Sequence, residues 1–153
     1  MTKKILALVV LLILGVSLLG FSQTDYEDFY RQLITSMAEQ VEEDADWLDT
    51  LLDSWSEGDI TQTSVVENLQ EMEKRADGYF ASMLKLSPLE GKFDRHKQTV
   101  YVFVTWSTII GMFTEGMADM DLAKLDAAAT LSDFFQRKVE KFDESIIEPD
   151  GED

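Results

Sequence analysis

A chain of 153 residues with 30 acidic and 13 basic side chains carries a formal charge of −17 at pH 7, a field that excludes binding to nucleic-acid phosphates and repels anionic lipid. There is no cysteine, so disulfides, thiol catalysis, covalently attached haem and lipidation through sulfur are excluded, and stability must come from packing. The length suits one domain with one core.

Thr2-Lys3-Lys4 precedes an apolar run from Ile5 to Leu19, interrupted only by Gly15 and Ser17, and Gly20-Phe21-Ser22 follows with small residues at the minus-three and minus-one places. This is the three-part layout of a secretory signal peptide over residues 1–22, with cleavage after Ser22 leaving Gln23 first. The run reaches only about 17 apolar residues where a spanning helix needs roughly 20, so removal is expected rather than retention as an anchor. Retention is the alternative, and it makes the rest a membrane-tethered extracytoplasmic sensor or envelope component. Lys3 and Lys4 hold the amino end in the cytoplasm and Asp25, Glu27 and Asp28 follow beyond the run, so both outcomes predict an exported domain: periplasmic, cell-envelope or extracellular.

Residues 24–57 carry Tyr26, Tyr30, Leu33, Met37, Val41, Ala45, Leu48, Leu52 and Trp55 at intervals of three and four, which predicts a helix with one apolar stripe. No basic residue lies between Arg31 and Lys74, and the acids at 42, 46, 49, 53 and 57 form a solvated face. Gly58 is placed to end this helix. Residues 61–86 repeat the rhythm at Val65, Leu69, Met72, Ala76, Tyr79 or Phe80, and Met83, with Ser64 and Glu67 as a capping box. Ser87-Pro88-Leu89-Glu90 reads as a second capping box that opens a third helix over 88–118. Asp121 caps a fourth over 121–147, with Leu125, Ala128, Ser132, Phe135, Val139, Phe142 and Ile146 on one side. Residues 148–153 are expected to be an acidic, disordered tail.

Four long helices joined by short links predict an all-α antiparallel up-down four-helix bundle over 23–147. Val100 to Trp106 has the β-branched and aromatic composition of a strand, but no partner strand is visible, so the helical reading stands.

In the third helix Val100, Val102, Phe103, Val104, Trp106, Ile109, Ile110 and Phe113 sweep an arc of roughly 220°, against roughly 100° for an ordinary bundle helix. The surplus is covered either by the long first helix or by a second copy, or else it offers an apolar contact surface. Val102, Trp106, Ile109 and Phe113 are the candidate residues of that surface, and its partner is an unidentified protein, an apolar ligand or a second copy.

Catalytic and metal chemistry find little support. His96, the single histidine, has Lys92, Phe93, Thr99 and Val100 as its helical neighbours, none of them an orienting carboxylate. Ser107 lies about 16 Å further along the helix, too far to share a proton with it. No Glu-x-x-His pair is present, and Asp44-Ala-Asp46-Trp-Leu-Asp49 lacks the glycine of an EF-hand loop. Non-covalent haem or a metal held by His96 is a less favoured third reading and an enzyme the least favoured, and no cofactor is expected. Trp47, Trp55 and Trp106 are all read as core. The expected function is a non-enzymatic binding or interaction module.

Overall fold

The computed structural model describes residues 23–147, with side chains up to 137 and at Val139; the leader over 1–22 and the tail over 148–153 lie outside the described residues. The described chain is all-helical: α1 Gln23–Ser56, α2 Gln62–Met83, α3 Phe93–Asp119 and α4 Leu122–Ile147. Val100 to Trp106 is helical, and there is no strand among the described residues.

Two compact units divide the chain, Met1–Ala38 and Glu39–Asp153, with the boundary inside α1. In the first, Tyr30, Ile34 and Met37 are buried, the Tyr26 and Tyr30 rings lie 6.2 Å apart, and Arg31 pairs with Glu27 one turn away. The second contains the rest of α1 and all of α2, α3 and α4.

Along α1 the buried residues are Tyr30, Ile34, Met37, Val41, Asp44, Leu48 and Leu51. Their spacing alternates four and three, a period of 3.5. This corrects the expected stripe: Leu33, Ala45, Leu52 and Trp55 are only half-buried, and Asp44 and Leu51 take core places. The same period runs through α2 as Val65, Leu69, Met72, Ala76, half-buried Tyr79 and Met83, and reaches Leu86 beyond the helix end.

The helix ends follow from local chemistry. Gly58 adopts φ +82, its N–H donates to the Trp55 carbonyl at 3.0 Å and the Asp59 N–H donates to that of Ser54 at 2.9 Å, closing α1 in a Schellman arrangement. Thr61, not Ser64, caps α2: its hydroxyl accepts from the Ser64 N–H at 3.2 Å. Asp121 caps α4 as expected, its carboxylate accepting from the N–H groups of Ala123 and Lys124 at 3.1 Å each.

The Ser87–Glu90 box does not open α3. Gly91 lies in the left-handed region at φ +72, a conformation that a helix beginning at Pro88 would have to carry in its first turn. The chain instead turns through a Lys92 N–H bond to the Leu89 carbonyl at 2.9 Å, and α3 starts at Phe93 without a side-chain cap.

Helix α3 is in contact with both α2 and α4. Toward α2, the Tyr79 and Phe103 rings are 6.3 Å apart, the Ser107 hydroxyl donates to Asp77 Oδ1 at 2.6 Å, and Gln62 Nε2 donates to the Met117 carbonyl at 2.6 Å. That last bond satisfies a carbonyl in the final turn of α3. Toward α4, the Trp106 and Phe135 rings stack at 5.6 Å and Lys124 Nζ reaches Glu115 Oε2 at 2.8 Å. Gly116 sits so close to α4 that a Cβ there would stand 2.8 Å from Leu125 Cδ2.

Candidate interaction surface

The wide apolar arc of α3 is spent on two neighbours at once. One seam runs Thr99, Phe103, Trp106, Ile110, Phe113, Met117 with alternating steps of four and three, and Thr105, Ile109 and Gly116 lie buried beside it. Together they cover roughly 180° of the helix. Three of the four expected surface residues are thus core: Trp106 is 1 % exposed, Ile109 0 % and Phe113 5 %. Only Val102 is half-exposed. The arc is covered by α2 and α4, on which no separate outer groove over Trp106, Ile109 and Phe113 can stand.

Alone among the described helices, α3 is long and apolar enough to cross a membrane, with 50 % of that apolar window buried inside the protein. Burying each of its large side chains stabilises the fold by about 1.5–3 kcal/mol. The buried threonines are satisfied within the helix, Thr99, Thr105 and Thr114 donating to the carbonyls of Arg95, Tyr101 and Ile110 at 2.7–3.0 Å.

Among the described residues, the most enclosed charged group is Asp44. It accepts from Arg75 Nη2 at 2.5 Å and, at a longer 3.4 Å, from Nε, a forked pair joining α1 to α2. Burial pulls the Arg75 guanidinium down, but the hydrogen bond to Asp44 and its charge more than offset this, and its pKa is raised. Tyr79, on the next turn of α2, has its phenol pushed up by burial and then by the charge of Asp44. The Asp44–Arg75 pair, the Tyr79 ring and Phe103 therefore form one continuous contact from α1 through α2 to α3. Sequence reasoning weighed Asp44 as part of a rejected calcium-loop motif and missed its place in the core. A period of 3.5 applied to α1 from Tyr30 onward would have found it.

His96 is half-buried on the first turn of α3, and burial lowers its pKa below the ordinary 6.5, so the imidazole is neutral at pH 7. No group of three or more His, Asp or Glu side chains is placed to hold a metal ion among the described residues.

Of the three tryptophans only Trp106 is core; Trp55 is half-buried and Trp47 is 46 % exposed. The most exposed large apolar side chains of the central helices are elsewhere than expected. Phe93 is 64 % exposed and Tyr101 60 %, and Leu84, just past the end of α2, is 61 %. Phe93, Lys97 and Tyr101 are spaced by four and make one outer row on α3, all exposed; the row ends at Thr105, which turns into the core. A second exposed apolar pair marks the α3–α4 connection, Met120 between Asp119 and Asp121 and Leu122 just after Asp121.

No family model, no curated protein and no solved structure matches this chain.

Proposed function

We propose that the chain is an exported, non-enzymatic interaction module built as an antiparallel up-down four-helix bundle, made with a leader over residues 1–22 that is removed after Ser22. The antiparallel course of α2, α3 and α4 is supported by contacts whose numbers rise on one helix as they fall on the next: Gln62 meets Met117, Asp77 meets Ser107 and Tyr79 meets Phe103, while Trp106 meets Phe135 and Glu115 meets Lys124. The observation that carries the functional reading is the outer row of α3, where two aromatic rings stand in water while threonines on the same helix are buried. Two exposed rings on one outer helix row are the strongest candidates here for a surface with a contact to make. The surface therefore moves from Trp106, Ile109 and Phe113 to Phe93, Tyr101 and Leu84.

Native mass spectrometry of the protein recovered from its own cells tests this. The expected spectrum shows a chain beginning at Gln23 together with a bound partner or ligand that is lost in a Phe93→Ser, Tyr101→Ser variant. A spectrum in which the double variant retains everything the natural chain binds refutes the assignment of this surface. A chain that keeps residues 1–22 establishes the membrane-tethered alternative instead.

A further inference from the structure

The geometry points to the α2–α3 end of the second unit as a docking surface for an anionic lipid headgroup layer. This rests on reading Phe93, Tyr101 and Leu84 as a contact surface, and adds what they contact. Across residues 84–101 the basic side chains Lys85, Lys92, Arg95 and Lys97 stand against only Glu90 and Asp94, a local charge of +2 in a chain of −17. Lys85 and Lys97 are exposed, Lys92 and Arg95 half-exposed; in the chain Lys85 follows Leu84, Phe93 stands between Lys92 and the exposed Asp94, and Lys97 lies between Phe93 and Tyr101 in the same helix row.

Screening at physiological salt acts over about 8 Å, so a local excess of this kind works separately from the net charge of the molecule. Aromatic rings interleaved with lysines suit the boundary between headgroups and acyl chains, where the ring sinks and the ammonium remains in water beside phosphate. An outer helix row is convex, and a peptide partner is recognised in a groove or along a strand edge, whereas a lipid surface moulds itself around a convex one. The apolar pair at the other end of α3, Met120 and Leu122, is flanked by Asp119 and Asp121 and would be repelled from the same surface. That asymmetry also makes head-to-tail pairing with a second copy the competing occupant.

The test uses the full chain with Phe93→Trp as a local reporter, the emission of the natural chain being subtracted. It is mixed with vesicles of phosphatidylcholine alone or with a third phosphatidylglycerol, each with and without brominated acyl chains. The expected result is a blue shift and bromine quenching at position 93 on the anionic vesicles, absent on the neutral ones, reversed by 0.5 M salt. Adding Lys85→Glu, Lys92→Glu and Lys97→Glu should weaken vesicle binding at least tenfold while the circular dichroism spectrum is unchanged. Equal quenching on neutral vesicles, or no quenching on anionic ones, overturns the proposal. A concentration-dependent shift without lipid assigns the surface to a second copy, which overturns the lipid assignment but leaves the contact-surface reading intact.

Discussion

Removing the Asp44 carboxylate should cost about 2 kcal/mol. Exposed ion pairs contribute about 0.2–1 kcal/mol, and breaking a fully buried one by deleting a partner costs about 3–5 kcal/mol. This pair lies between those limits, since the Asp44 side chain is 10 % exposed and that of Arg75 31 %. In Asp44→Ala the guanidinium keeps its desolvation and loses its forked acceptor, while water reaches only its outer edge. Unfolding entropy near 2.1 cal/mol/K per residue makes 2 kcal/mol about 7–8 °C in Tm for a helical region of this length. Urea unfolding followed by circular dichroism measures the change directly. A double-mutant cycle with Arg75→Met should return a coupling of about 1.5 kcal/mol. The decisive variant is Asp44→Leu with Arg75→Met, which fills the same places with apolar groups and should come within about 1 kcal/mol of the natural chain. A loss below about 0.5 kcal/mol in Asp44→Ala, or a double replacement as unstable as that single variant, refutes the view that the pair sits in the seam between α1 and α2.

Other substitutions test the backbone and the close helix contact. Met120 closes α3 at φ 53 with its side chain half exposed, so Met120→Gly should relieve the left-handed strain and raise stability by about 1 kcal/mol in thermal unfolding. Gly111 and Gly116 lie in the same helix but should respond with opposite signs. A Cβ at Gly111 meets only Glu73 Oε1 at 3.4 Å, and Gly111→Ala should gain about 0.5–1 kcal/mol from helix propensity. Gly116→Ala must displace Leu125, whose Cγ would lie at 3.0 Å and backbone nitrogen at 3.3 Å, and should lose about 1 kcal/mol net by urea titration. Burial lowers the His96 pKa, so the unfolded chain binds the imidazole proton first as pH falls. Its contribution to stability is complete above about pH 6.5 and is lost progressively below that, and His96→Gln should flatten the stability profile between pH 6.5 and 5 relative to the natural chain.

What the residues alone determined is the set of helices and two of their ends. Apolar groups three and four apart in four stretches leave no other regular structure that buries them, and Gly58 and Asp121 act through their own backbone and side chain, without help from distant parts. The rotation of each helix was decided only on packing. An apolar arc wider than one seam can bury different portions of itself, and the neighbours select which. In α1 the ion pair with Arg75 let Asp44 take a core place that hydropathy assigns to Ala45. In α3 the close approach of α4 requires glycine at 116, and Thr105, its hydroxyl satisfied by the Tyr101 carbonyl, went inward while Tyr101 was left in water, the reverse of their ranking by apolarity. The candidate surface is the remainder of that selection, which is why Phe93 and Tyr101 were invisible as site residues in the sequence, while Trp106, Ile109 and Phe113, weighed there as core face or contact surface, are core. The start of α3 belongs to the same class: Ser87 and Glu90 have the right spacing for a cap, but the left-handed turn at Gly91 lies between them and the helix.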